Sequence, residues 1–276
     1  MNVTHRSMDG HGLSQAIWNQ FPKDEILFLH DRSCGFGFYD DFESFQATTL
    51  EGPYLILEGS GCTCEQVADT GNTSTTALGQ VRLLLDGNSA NDEVVLQRGR
   101  GLSAPFKLAD HDLCFEARIA VSSVVANQTW AIGLGEVSMG ATDGLFADVG
   151  SSVCALANKN FFGFVHLTAE TTALDAAYKA DGQTYQDGAT KTKLNAIHTL
   201  VAATFVQVGF RYRARDKSIS FAVDGVEIPA ATLTASELDA VTFPDDVFLN
   251  AIFGAKDAVG TALSMYSDWW ACAQAV

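Results

Sequence analysis

Proline, positive charge and long apolar runs are all scarce in this chain of 276 residues, and each shortage excludes something. Lys and Arg number 17 against 33 Asp and Glu, a net charge of −16. Such a surface repels phosphate backbones and anionic headgroups, so no nucleic acid and no membrane is expected as a partner. No stretch approaches the roughly 18 uninterrupted apolar residues of a membrane span. Met1 to Gly12 is polar and carries Asp9, His5 and His11, so it lacks the apolar core of a secretory signal. Without export, the six cysteines (Cys34, Cys62, Cys64, Cys114, Cys154, Cys272) are expected to stay reduced.

Metal and cofactor motifs are also missing. Cys62-Thr63-Cys64 is the one close pair, with no second pair or His pair at zinc-ligand spacing, and reads as two loop thiols. Asp86 to Glu93 concentrates oxygen-bearing side chains as calcium prefers, but its spacing breaks the EF-hand pattern, and a solvated turn is expected. There is no phosphate-binding glycine loop, no His-Glu-x-x-His and no nucleophile elbow. His166 lies in an apolar run and reads as a core histidine. No cofactor and no metal are expected.

What the chain does have is 18 Phe and 24 Gly, the makings of an aromatic β core with many corners. Leu113 to Val121 alternates, with Leu113, Phe115, Ala117, Ile119 and Val121 on one face, and Trp130, Ile132 and Leu134 repeat the pattern. Phe161 to Leu167 is apolar on both faces, as in a central strand covered by two layers. Phe205 to Pro229 reads as a three-stranded meander, its second turn Asp224-Gly225 signalling a type I′ hairpin. Phe248 to Phe253 and Leu263 to Cys272 add two strands, and Asp181-Gly182 marks a hairpin tip between Tyr178 and Tyr185. Strands without intervening amphipathic helices exclude a βαβ fold. The fold class is all-β: two antiparallel sheets packed face to face over residues 39–276. Phe115, Ile119, Trp130, Ile132, Phe210, Phe221 and Val223 are its predicted core.

Residues 1–38 stand apart as an extended N-terminal arm. Ser14 to Phe21 is a short helical stretch ended by Pro22, and Glu25 to His30 is a short apolar run. Trp18, Phe21, Ile26 and Phe28 are bulky apolar residues outside the sandwich pattern and are the predicted partner-binding residues. Two placements are open for them: a neighbouring subunit or other partner, which is the expected one, or the chain's own sandwich.

Retaining glycosidases of the two-sheet class place Glu-x-Asp-x-(x)-Glu on one strand. Glu237-Leu238-Asp239-Ala240-Val241-Thr242 matches its opening but closes on Thr242, and Thr234 to Glu237 is a capping box that gives Glu237 a structural task. No catalytic residues are assigned. Trp269-Trp270 with Tyr266 suggests a sugar platform, but neighbours on a strand point to opposite faces, so one Trp is expected in the core and the other at a surface.

Several segments in order carry a resemblance: Tyr39-Asp40-Asp41-Phe42, Asn91 to Gln97, Pro105 to Leu108, LCFEARIAV from Leu113, WAIGLGE from Trp130, Thr199 to Phe210, and ISFAVDGV from Ile219. Together they resemble tailed-bacteriophage virion proteins with a concanavalin A-like, laminin-G-like jelly roll. That resemblance implies a non-enzymatic capsid decoration or cement subunit on the virion exterior, assembled in the host cytoplasm. It further implies a symmetric oligomer, a trimer, with the major capsid protein as its partner. The alternative it leaves is a glycan-binding tail or head-fibre module, and after that a glycoside hydrolase.

Overall fold

The computed structural model describes residues 12–18, 35–42, 45, 53–67, 79–88, 90–99, 106–109, 111–124, 128–136, 139, 144–150, 153–168, 171–238 and 241–275. Within them the chain forms two antiparallel sheets, as the alternation predicts. The first sheet runs β16 (Val226–Glu227), β15 (Ser218–Val223), β14 (Val206–Arg213), β7 (Leu113–Val121), β18 (Leu263–Ala275), β4 (Val81–Leu85) and β3 (Thr63–Gln66); β1 (Gly35–Asp40) also pairs with β18. The second runs β13 (His198–Thr199), β12 (Ala173–Lys179), β11 (Phe161–His166), β8 (Gln128–Glu136), β17 (Phe248–Asp257), β5 (Glu93–Arg98) and β2 (Tyr54–Glu58), with β6 (Phe106–Lys107) also on β17. A two-stranded unit, β9 (Phe146–Gly150) with β10 (Val153–Leu156), and a four-residue helix, α1 (Gln15–Trp18), stand outside both sheets.

The core lies between the sheets. Phe162 and Phe164 of β11 meet Phe210 and Phe221 of the meander, with the Phe162 and Phe210 centroids 4.1 Å apart and Phe115 stacked on Phe210 at 5.2 Å. All seven predicted core residues are buried. The Asp224-Gly225 turn has φ of 48° and 75°, the doubly left-handed geometry that a type I′ hairpin requires. His166 stacks on Trp130 at 5.9 Å and its Nδ1 lies 2.7 Å from the Ala173 carbonyl, so it is a core histidine.

Three expectations need correction. The boundary before Tyr39 cuts through β1, whose six residues pair with Ala275 to Trp270 and whose Phe36 and Phe38 rings pack on Phe106; the sandwich therefore begins at Gly35. Trp269 and Trp270 are both buried: strand alternation does separate them, but Tyr39 stacks over Trp269 at 5.9 Å and covers it from outside. Cys62 and Cys64 are core thiols, with Cys64 inside β3, and burial pushes the Cys62 thiol up to about 11. The capping box at Thr234 to Glu237 is present as a hydrogen-bonded turn, the Thr234 amide donating to the Glu237 carboxylate at 3.0 Å.

Candidate functional site

A two-sheet sandwich has two outer faces, and here both are partly dressed. On the second sheet the outward positions are Glu93, Val95 and Gln97 of β5, Asn250, Ile252, Gly254 and Lys256 of β17, and Thr129, Ala131, Gly133 and Gly135 of β8. Phe161, Gly163 and Val165 of β11 and Asp175, Ala177 and Lys179 of β12 complete the set. The register lines these up in rows, such as Gln97–Ile252–Gly133–Gly163–Ala177. A Cβ on Gly133 would lie 2.3 Å from the Phe162 carbonyl oxygen, so only glycine lets the two strands approach there.

Part of this face is sealed by Met139, Leu145, Phe146 and Leu156, which pack on Val95, Ala131, Val165 and Ile252. Buried polar groups pin that cover. The Glu93 carboxylate accepts the Leu145 and Phe146 amides, the latter at 3.1 Å, and Lys256 Nζ sits 3.4 Å from Glu93 Oε2 and 3.3 Å from Asp148 Oδ1. Burial raises the Glu93 carboxyl, against the pull of those amides and Lys256. Burial also pulls the Lys256 ammonium down, but Glu93 and Asp148 outweigh it and hold the group above its ordinary value. Thr168 Oγ1 accepts the Cys154 amide at 3.0 Å and meets Thr129 Oγ1 at 2.7 Å.

The start of β17 is more exposed, although Asn250 and Gln97 on the same face are buried. Phe248 starts β17 with 57% of its surface exposed and Lys107 Nζ 5.7 Å from its ring centroid. Two residues along the strand is Asn250, opposite Gly135. Gln97 Nε2 donates to the Glu136 carbonyl at 2.6 Å. Glu136, opposite the inward Leu249, belongs to the other side of β8; its carboxylate accepts the Asn160 amide at 3.1 Å and its side-chain N–H at 2.8 Å, and Lys159 Nζ lies at 3.5 Å. Asn160 Oδ1 accepts the Asp181 amide and Asn158 Oδ1 the Gly182 amide, both at 3.0 Å, which ties the 180–182 tip to that strand end. The exposed Phe248 ring beside Lys107 is equipped to stack on a pyranose.

Hydrolysis needs more. Glycoside cleavage uses two carboxyl groups across the scissile bond; the outward carboxyls of this sheet among the described residues are Glu93 and Asp175, both buried and engaged, Glu93 by the Leu145 and Phe146 amides and Asp175 by the Ala196 amide at 2.6 Å. Glu237 is engaged elsewhere: Lys193, the Thr234 amide at 3.0 Å and the Thr234 hydroxyl at 2.8 Å all act on its carboxylate. Those contacts, Lys193 foremost, hold it down at about 2. Asp239 lies outside the described residues. A depressed carboxyl contributes its support above the ordinary carboxylate range and loses it as pH falls toward 2. A carbon-detected NMR titration should therefore find Glu237 still ionised at pH 3; a midpoint near 4.5 would remove it from this turn. In the acidic loop, Asp86 caps its own turn by accepting the Asn88 amide at 2.9 Å. No group of three or more His, Cys, Asp or Glu suited to a metal occurs among the described residues.

The first sheet's outer face receives the described part of the arm. Ile17 is buried against Cys114 and Ala222, Glu116 Oε2 accepts the Ser14 amide at 2.9 Å and the Trp18 indole N–H at 2.8 Å, and Arg211 donates to the Ala16 carbonyl at 3.0 Å. Trp18 thus docks on its own sandwich, the second of the two placements. Phe21, Ile26 and Phe28 lie outside the described residues. Neither Phe248 nor the Glu136–Asn160 contact was singled out from the sequence; the one local signal is the polar Asn158-Lys159-Asn160 turn ahead of an all-apolar strand.

No protein-family model matches the chain, and no curated protein matches it by sequence. Solved structures do. The carbohydrate recognition domain of Emp47p superposes with a TM-score of 0.51 at 12% identity, covering 89% of this chain and 99% of that one. The fold is that of the concanavalin A-like lectin jelly rolls. Basic winged bean lectin with Tn-antigen gives 0.50 at 10% identity, covering 87% and 99%. An endo-β-1,4-glucuronan lyase from the fungus Trichoderma reesei gives 0.50 at 12%, covering 85% and 94%. The jelly-roll sandwich expected from the sequence is therefore shown. Binders and enzymes both use it, so the fold does not decide between them. The virion location, the capsid partner and the trimer rest on the sequence resemblance alone.

Proposed function

We propose that this protein is a carbohydrate-binding, non-enzymatic module that meets its ligand at the rim around Phe248, at the start of β17. The observation that carries the proposal is Phe248 itself, an aromatic ring 57% exposed on the outer face with the Lys107 ammonium 5.7 Å from its centroid. An exposed ring beside a hydrogen-bond donor can stack on a sugar and hold one of its hydroxyls. The sandwich is shared with two lectin structures, which supports the reading. The capsid-cement reading expected from the sequence resemblance also invokes the apolar arm, whose described part is bound to this chain's own sheet.

A glycan array with the intact chain tests the reading, followed by calorimetry on the best oligosaccharide. Phe248→Ala should weaken binding at least tenfold while thermal stability stays within a degree or two, because the ring is mostly in solvent. Wild-type affinity in that variant would remove the site from this rim. Glycan chain cleavage by the wild type would overturn the non-enzymatic part of the proposal.

A further inference from the structure

The segment Gly12 to Trp18 lies on the outer face of the first sheet as a bound peptide would. Most of the contacts that hold it go to its main chain. Glu116 Oε2 accepts the Ser14 amide at 2.9 Å, and Gln207 Nε2 donates to the Gly12 carbonyl at 3.1 Å. Arg211 donates to the Ala16 carbonyl at 3.0 Å, and the Cys114 thiol to the Ile17 carbonyl at 3.1 Å. Two further contacts read side chains. The Trp18 indole N–H reaches Glu116 Oε2 at 2.8 Å, and Ile17 is buried on Cys114 and Ala222. Gly209 makes the hollow for it: a Cβ there would lie 3.0 Å from Ile17 Cγ1.

Little in the segment holds it down apart from these contacts. Its helix, α1, has four residues, far below the ~12–15 at which an isolated helix becomes even marginal in water. Its buried apolar anchor is one isoleucine on a thiol and an alanine. The other groups beneath it, Glu116, Arg211 and Gln207, are polar, and water can replace the bonds they make to the segment. Glu116 and Arg211 are only 1% and 2% exposed. Burial pushes the Glu116 carboxyl up and pulls the Arg211 guanidinium down, so both charges gain hydration when the cover lifts.

We propose that this face is a peptide-docking cradle, filled here by the chain's own Gly12–Trp18 as a releasable strap. In trans it takes a peptide segment of the same chemistry, an aliphatic side chain followed by an indole. The cradle is on the opposite sheet from Phe248 and does not depend on the carbohydrate reading. The strap is a built-in competitor: a tethered ligand acts as if present at roughly millimolar concentration, so a free peptide has to displace it.

Cys114 reports on the cover. It is fully buried, and burial holds its thiol well above the ordinary value, so it is unreactive while the strap is down. The test uses the full chain and its Ile17→Asp variant, which removes the apolar anchor and sets a second carboxylate near Glu116. Iodoacetamide labelling, located by peptide mass mapping, should modify Cys114 at least tenfold faster in the variant. Cys64, Cys154 and Cys272 should stay as slow as in the wild type. A synthetic peptide with the sequence of residues 12–18, in millimolar excess, should then slow Cys114 labelling in the variant at least fivefold. The same peptide with its Ile and Trp both replaced by Ser should give no protection. Cys114 as protected in Ile17→Asp as in the wild type would mean that the strap does not release, and would overturn the inference. Equal protection by the two peptides, or none by either, overturns the cradle. Labelling of all four cysteines together would make the segment part of the sandwich's own stability, and overturns the inference as well.

Discussion

Lys256→Met is expected to destabilise the fold by about 3–5 kcal/mol, the usual cost of removing one partner from a buried ion pair. Lys256 and Glu93 side chains are 8% and 10% exposed, so solvent does little to screen or replace their interaction. With Lys256 gone, Glu93 keeps the Leu145 and Phe146 amides but loses the charge that offsets its burial. Adding Glu93→Gln to Lys256→Met should recover a large part of the loss, since glutamine still offers a carbonyl to those amides without a buried charge. Urea denaturation of the two variants and the wild type measures both quantities. A loss under 1 kcal/mol for Lys256→Met would mean that water reaches the pair and that the cover over this half of the face is loosely held.

Phe221→Ala should cost a similar amount, about 3–5 kcal/mol on the scale of large-to-small core substitutions. The ring is fully buried and sits edge-on to Phe162 at 6.2 Å and Phe164 at 5.8 Å, so its loss opens a cavity where the two sheets meet. Both neighbours are on β11, a strand paired on each side, and cannot move in to fill the space. The denaturation midpoint should fall with the urea slope unchanged. Near-wild-type stability would mean that this aromatic cluster repacks freely.

The inner face of the sandwich was legible in the sequence because burial there follows strand period. Val206, Val208, Phe210 and Tyr212 alternate with polar or small residues, and each is in the core. The Asp224-Gly225 turn fixes the register of the strands around it. What lies over an outer face is set by distant segments that periodicity does not report. Alternation puts one of Trp269 and Trp270 at a surface; Trp269 is the one that faces outward, but Tyr39 from another strand lies across it. Phe248 shows the reverse: it opens an apolar strand and is exposed, because it sits at the strand's end beyond the cover supplied by Leu145, Phe146 and Leu156. The candidate site was less legible still. Phe248 and Lys107 come from two strands, each unremarkable alone, and only their pairing brings the ring and the ammonium together. Trp18 was singled out for its bulk, but nothing local showed that Glu116, almost a hundred positions away, would accept its indole N–H.

The most direct test of the central claim is an amide NMR titration of the isotopically labelled chain with the tightest-binding oligosaccharide. Shift changes should concentrate around Phe248 and Lys107, with the first sheet's outer face around Glu116 and Arg211 unmoved. Saturable changes confined to that opposite face, with the rim silent, would contradict the account.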